Sequence, residues 1–112
     1  MSVDHIMEIP SFDKTRRLLG FHLKTSSATV CTEKTIFYVR SLNDLIPVAL
    51  LSTARKNPSG FEVLFGRASG VPSTFATIFE ISERGVDIPP GVSVSLWASD
   101  LSGDYEINWM WC

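Results

Sequence analysis

The chain is poor in the residues on which disulfide frameworks and metal sites depend. It has two cysteines and two histidines among 112 residues. Two cysteines cannot supply a disulfide framework or a four-cysteine zinc site. Neither His5 nor His22 has a second histidine or a cysteine at the spacing of a metal-binding motif. We therefore expect no metal site and no cofactor.

An excess of positive charge and long apolar runs are also missing. Lys+Arg number 10 against 12 Asp+Glu, which gives a formal net charge of -2. Proteins that contact many phosphates usually need a basic surface, so we expect no nucleic-acid partner. No apolar run approaches the roughly 18 residues that would span a bilayer. The N-terminus lacks the basic and apolar regions of a secretory signal, which predicts cytoplasmic synthesis without a signal peptide and leaves unconventional export open.

Residues for covalent or acid–base catalysis are sparse. Cys31 lies in a strand-like stretch and is predicted to be a buried, inert thiol, whereas Cys112 is predicted to be exposed. A nucleophilic cysteine needs a base beside it, and His22 is the only partner that the sequence offers. Carboxylates also occur close together in the sequence, at Glu80 and Glu83 and at Asp100, Asp104 and Glu106. Surface solubility explains them more simply than a glycosidase cleft does. We predict no catalytic residues and no enzyme, with a small enzyme based on Cys31 or the carboxylates as an alternative.

An alternation of apolar and polar residues with a period of two runs through most of the chain after Gly20. The predicted strands cover residues 21–25, 35–40, 46–51, 61–65, 75–81, 92–98 and 104–111. Turn signals separate them, and no helices are available to connect parallel strands. The sequence thus predicts an all-β protein, an antiparallel β-sandwich of about seven strands with an immunoglobulin or fibronectin-III-like fold; a small barrel is the alternative.

The N-terminal segment is predicted to contain a short helix over residues 11–19, capped at both ends. Three side chains share one face of that helix and form the predicted interface: Phe12, Arg16 and Leu19. We therefore divide the chain into residues 1–19, a segment that could dimerise, and residues 20–112, the β-sandwich.

The placement of the aromatic residues is the main indication of a binding site. In the strand at 92–98, Trp97 lies on the otherwise polar face, while Trp109 and Trp111 share their face with apolar residues and are predicted to point into the core. If the last two strands pair as a hairpin, the predicted ligand-binding residues are Trp97, Ser95, Ser99, Asp100, Asp104 and Asn108. An exposed indole among polar groups is typical of sugar or protein recognition. Packing or an oligomer interface is the alternative role for Trp97.

The last third of the chain resembles the fungal immunomodulatory proteins, which are small and lectin-like. The resemblance rests on residues 79–87, the strand at 92–97, the turn at 100–103 and the segment from Asp104 to Trp111. Residues 16–21 are similar to the basic pair and strand that follow the family's N-terminal helix. Two departures are Pro10, which interrupts that helix, and residues 25–27, which replace the family's Trp-Gly-Arg-Gly loop. The resemblance implies a fibronectin-III-like sandwich that dimerises through its N-terminal segment and binds cell-surface glycans.

These observations together predict a non-enzymatic, lectin-like binding protein. It would act as a homodimer and recognise a cell-surface glycan or glycoprotein through the residues around Trp97. The alternative is a small structural or assembly protein, viral or accessory, whose exposed aromatic residues form contacts between subunits.

Overall fold

A computed structural model describes residues 2–41, 44–66 and 80–112. Its strands are β1 (Val3–Ile9), β2 (Arg16–Cys31), β3 (Ile36–Ser41), β4 (Asp44–Leu50), β5 (Arg55–Asn57), β6 (Gly60–Leu64), β7 (Glu80–Ile81), β8 (Val86–Ile88), β9 (Val94–Ser99) and β10 (Leu101–Trp111). A 3-10 turn covers Leu51–Thr53. Within the described ranges, no helix has the length and apolar character needed to cross a bilayer. Most of the predicted strand at 75–81 lies outside the described residues.

The strands form two antiparallel sheets. The four-stranded sheet has the order β1-β9-β3-β4, and the six-stranded sheet has the order β5-β6-β2-β8-β7 with β10 paired to β2. The long strand β2 organises the second sheet, because β8 and β6 follow one another along one of its edges while β10 occupies the other. The predicted all-β architecture of two antiparallel sheets is confirmed.

The two sheets are held together by a core of interlocking aromatic and aliphatic side chains. Phe21 of β2 is fully buried and meets Phe37 of β3 edge-to-face, with ring centroids 4.9 Å apart. It also meets Phe65, just after β6, at 5.7 Å. Such aromatic pairs add about 0.5–1.5 kcal/mol beyond the burial of their area. Because Phe21 and Phe37 come from different sheets, their contact fixes how the sheets pack.

Strand β2 changes face at Gly20, which explains why its buried residues do not alternate regularly. Leu18 and Phe21 are both fully buried although they are an odd number of residues apart. The register with β10 shifts at the same point. Gly20 has φ +152°, and a Cβ there would lie 2.0 Å from the Val63 carbonyl oxygen of β6. Only glycine fits at this bulge, because the backbone of β6 lies too close to leave room for a Cβ.

The predicted helix over residues 11–19 is wrong. Residues 11–15 form an irregular connection, and β2 begins at Arg16. Residues 16–18 pair with β8, and this pairing buries Leu18 completely. A two-turn helix is marginal by itself, so the hydrogen bonds and burial gained by joining the sheet outweigh it. The predicted domain boundary after residue 19 consequently falls inside β2, and β1 is a strand of the four-stranded sheet.

The last two strands do not form the predicted hairpin. Strand β9 belongs to the four-stranded sheet and β10 to the six-stranded sheet, so the chain crosses between the sheets at Asp100. Asp100 has φ +52°, and its carbonyl accepts a hydrogen bond from the Thr35 hydroxyl at 2.8 Å. Asp tolerates this left-handed conformation better than most residues. The corner therefore separates the residues of β9 from those of β10.

Candidate functional site

Trp97 lies on the outer face of the four-stranded sheet, in the middle of β9. Its two neighbours in sequence are fully buried, so the indole points away from the core and is half-exposed. Its partner on β1 is His5, and its partner on β3 is Tyr38. Tyr38 in turn pairs with Pro47 of β4. A row of ring-bearing residues thus runs across all four strands of this sheet.

Three side chains hold the indole of Trp97 in place. Its Nε1–H donates a hydrogen bond to Ser95 Oγ at 2.8 Å. The His5 ring lies 5.3 Å away, nearly perpendicular at 81°. The guanidinium carbon of Arg40 lies 5.3 Å from the ring centroid. A cation–π contact at an exposed site contributes about 0.5–1 kcal/mol, so Arg40 also restrains the ring.

A second row of outward residues lies beside the first and adds charge. Glu8 of β1 pairs with Ser95, which pairs with Arg40 of β3. His5 Nε2 lies 3.3 Å from Glu8 Oε1. We call the six residues of both rows the Trp97 face: His5, Glu8, Tyr38, Arg40, Ser95 and Trp97. This face combines an aromatic surface with a carboxylate, a guanidinium and an imidazole, a combination suited to binding a ligand that is both apolar and polar.

Only two of the six predicted ligand-binding residues come together. Ser95 and Trp97 are in direct contact. Asn108 lies on the outer face of the other sheet, where it pairs with His22. Because the predicted site assumed that β9 and β10 were neighbours, the crossing at Asp100 divides it between the two sheets.

The remaining three predicted residues contribute to the corner between the sheets and to the strand that follows it. The hydroxyl of Ser99 is buried and accepts a hydrogen bond from the Ile36 N–H at 3.1 Å. The carbonyl of Asp100 accepts a hydrogen bond from the Thr35 hydroxyl. The carbonyl of Asp104 accepts a hydrogen bond from the Thr29 hydroxyl. These contacts connect strands to one another, and none of them joins the Trp97 face.

Four members of the Trp97 face were not predicted from the sequence. Tyr38 and Arg40 alternate with the buried Phe37 and Val39, so their outward direction could have been predicted. Their position beside β9 depends on pairing between distant segments, for which the sequence gives no signal. His5 and Glu8 were missed because the alternation of β1 is broken by a register shift between His5 and Met7.

The prediction that Trp109 and Trp111 point inward is confirmed. Both pack against the core while remaining partly accessible. Trp109 meets Phe21, with ring centroids 5.8 Å apart and nearly perpendicular planes. Trp111 meets Phe12 at 5.0 Å, also edge-to-face. The two tryptophans of β10 therefore pack against the hydrophobic core, whereas the contacts of Trp97 lie on the outer face of its sheet.

The predicted interface residues do not form a helical stripe, since the helix is absent. Phe12 is 36% exposed, and the Arg16 guanidinium carbon lies 4.4 Å from its ring centroid. Leu19 is half-buried inside β2, and its carbonyl accepts a hydrogen bond from the Phe65 N–H at 2.8 Å. Phe12 and Arg16 thus form a surface pair, with Leu19 held separately in the strand.

Cys31 and His22, the candidate nucleophile and base, are not brought together. Cys31 and Cys112 are both free, and Cys31 is half-buried rather than fully buried. His22 precedes Cys31 on the same strand by nine residues, which corresponds to about 30 Å of extended chain. His22 instead lies beside the Asn57 amide nitrogen at 3.2 Å and the Ser59 hydroxyl at 3.4 Å. Among the described residues, no group of three or more His, Cys, Asp or Glu side chains could hold a metal ion.

A cavity of about 640 Å³ opens where the β1–β2 connection meets β8. Its wall includes Arg17, whose Nε and second terminal nitrogen donate to the two carboxylate oxygens of Asp87 at 2.9 and 3.2 Å. These hydrogen bonds lower the pKa of Asp87 despite an opposing effect of burial, and they raise the pKa of Arg17. The Arg17 guanidinium and the Asp87 carboxylate therefore form a hydrogen-bonded ion pair with each other.

Burial also affects a tyrosine at the edge of the core. The pKa of Tyr105 is raised, first because burial disfavours the phenolate and second because the Asp4 carboxylate is nearby. Tyr105 therefore stays neutral and acts as a packing residue at physiological pH.

No known protein family, curated protein or solved structure matches this chain. The resemblance to the fungal immunomodulatory proteins thus remains a prediction.

Proposed function

We propose that the protein is a non-enzymatic, lectin-like recognition protein that binds carbohydrate through the Trp97 face. The observation that carries the proposal is a half-exposed indole, held on the outer face of a sheet by Ser95, His5 and Arg40. The apolar side of a sugar ring can pack on an aromatic ring while its hydroxyls bond to polar groups at the edge. A cell-surface glycan or glycoprotein would supply such sugars.

The polar members of the Trp97 face give the proposed site its selectivity. The indole N–H is already bonded to Ser95, so Trp97 offers its ring surface rather than its donor. Arg40 can donate to hydroxyl or carboxylate oxygens, and Glu8 can accept from hydroxyls. These groups favour a ligand rich in hydroxyls over an entirely apolar partner surface.

A second candidate function is assembly through the same sheet. The outer surface continues from Tyr38 onto β4, where Pro47 and Leu45 are the cross-strand partners of Tyr38 and Arg40. Leu50 of the same strand is 42% exposed. Apolar residues on an edge strand favour contact with another protein surface. In this alternative, the protein is a small structural or accessory protein and Trp97 lies between subunits.

We also propose that the protein is a homodimer and that its two sheets form a fibronectin-III-like sandwich. Phe12 is 36% exposed, and aromatic residues are enriched at protein interfaces, which supports self-association through the N-terminal part of the chain. Sedimentation over a range of protein concentrations tests the dimer, and a constant monomer mass would contradict it.

Glycan-array binding of the wild type and matched variants tests carbohydrate recognition. Trp97→Ala should abolish binding, and Arg40→Gln should weaken it. Trp97→Phe keeps an aromatic ring and should retain part of the signal. Asn108→Ala is the control, because Asn108 belongs to the predicted site but lies on the other sheet, so this variant should bind normally.

The molecular mass, measured on the same samples, separates the two candidate functions. Loss of glycan binding in Trp97→Ala with an unchanged mass supports the lectin-like function. A defined oligomer that Trp97→Ala dissociates, with no glycan signal from the wild type, overturns it in favour of assembly.

A further inference from the structure

We infer that the cavity beside β8 is a second binding site, which takes a small organic anion bearing a carboxylate, sulfate or phosphate group. It lies at the start of β2 and is built from Phe12, Lys14, Arg16 and Arg17. A volume of about 640 Å³ is within the range of small-molecule sites, which extends over about 300–1,000 Å³. The inference is independent of the Trp97 face, which lies on the other sheet.

Arg16 is placed as an anion-binding arginine would be. Its guanidinium carbon lies 4.4 Å from the ring centroid of Phe12 and 4.9 Å from the ring of Trp111. The two rings meet edge-to-face at 5.0 Å, so they form a corner in which the guanidinium rests. Rings that contact the guanidinium leave the N–H groups at its edge free to donate. The corner therefore orients the donors of Arg16 before any ligand arrives.

The hydrogen-bonding capacity of Arg16 is unused in the described part of the chain. No hydrogen bond or ion pair connects its guanidinium to a described residue, whereas the adjacent Arg17 is bound by Asp87 through two hydrogen bonds. Arg17 and Asp87 largely neutralise each other. This contrast within one cavity identifies Arg16 as the group available to a ligand, and Arg17–Asp87 as part of the wall.

Two of the cations that line the cavity, Lys14 and Arg16, are not paired with described residues. Asp13 lines it as well, and Cys112 acts as a negative group on Arg17, so the donors of Arg16 rather than a net positive charge would hold the anion. The planar fork of an arginine matches the oxygens of carboxylate, sulfate and phosphate groups, and Lys14 adds a mobile point charge. Phe12, which lines the cavity, provides apolar contact for the organic part of the ligand.

Titration of the ¹⁵N-labelled full chain with three probes tests the site: sodium sulfate, sodium phosphate and glucuronate. We expect the Arg16 Nε–H and Trp111 indole N–H resonances to shift saturably with at least one probe. The strongest probe identifies whether the site prefers an inorganic oxyanion or a sugar carboxylate. No saturable shift with any of the three would overturn the inference.

Variants identify the residue responsible. Arg16→Gln should weaken the affinity for the strongest probe about tenfold or more, as expected for a charged hydrogen-bonding group. Arg16→Lys keeps the charge but loses the planar fork, and it should weaken binding several-fold. Arg55→Gln removes the same charge from the exposed strand β5 and should leave the affinity unchanged. Equal losses of affinity in Arg16→Gln and Arg55→Gln would contradict the proposed geometry, and so would full affinity in Arg16→Lys. Thermal unfolding of each variant checks that it is folded.

Discussion

The clearest physical test of the structure compares the two tryptophans that the sheets place differently. Trp109 packs against the core next to Phe21, so Trp109→Ala removes a large side chain and leaves a cavity. Truncating a buried aromatic residue to alanine costs about 3–5 kcal/mol. Because Trp109 is partly accessible, we expect the lower end, about 3 kcal/mol. For a chain of 112 residues this corresponds to a fall of about 12 °C in the unfolding temperature.

Trp97→Ala removes contacts of a different kind. It deletes the hydrogen bond to Ser95 and the contact with Arg40, but it opens no cavity because the indole lies outside the core. A net hydrogen bond is worth about 1 kcal/mol and an exposed cation–π contact about 0.5–1 kcal/mol. The expected loss is about 1–2 kcal/mol, or about 4–8 °C.

Thermal and urea unfolding, followed by circular dichroism, measure both losses. Trp109→Phe serves as the conservative control, because it retains an aromatic ring opposite Phe21 and should lose less stability than Trp109→Ala. If Trp97→Ala destabilises the protein more than Trp109→Ala, the assignment of inner and outer faces in β9 and β10 is wrong.

Three further predictions concern the backbone, one ion pair and the thiols. Gly20→Ala should destabilise the fold by about 3 kcal/mol or more in urea unfolding, since its Cβ would overlap a carbonyl oxygen of β6; a wild-type midpoint would refute the bulge. Asp87→Asn should lower the unfolding temperature at neutral pH, with the difference disappearing as the pH falls through the lowered pKa of Asp87, because Arg17 stabilises only the ionised carboxyl; a difference that does not depend on pH would contradict this. Thiol labelling of the native protein should reach Cys112 rapidly and Cys31 slowly, and equal rates would show that Cys31 is accessible.

Strand positions were predictable where apolar and polar residues alternate without interruption. The predicted segments at 35–40 and 61–65 correspond closely to β3 and β6, and the predicted segment at 104–111 lies within β10. The inward direction of Trp109 was also predictable, since it shares its face with Ile107. In each case the information is local, because side chains two residues apart face the same side of a strand.

Features that depend on long-range pairing were not predictable. Residues 11–19 have the spacing of a helical face, but β8 supplies hydrogen bonds that make residues 16–18 a strand. The short segment around Asp100 is compatible with a hairpin, yet the two strands beside it pair with different partners. Intrinsic preferences are weak compared with tertiary packing, so a local pattern cannot decide either case.

The bulge in β1 links the missed strand to the missed part of the candidate site. His5 and Glu8 are three residues apart, so in a regular strand they would point to opposite faces of the sheet. The register shift between His5 and Met7 lets His5 pair with Trp97 and Glu8 pair with Ser95, and both side chains then lie on the outer face. Bulges often re-aim a side chain near a functional site. The bulge therefore has two effects. It breaks the alternation by which β1 could have been predicted from the sequence, and it places an imidazole and a carboxylate together beside Trp97.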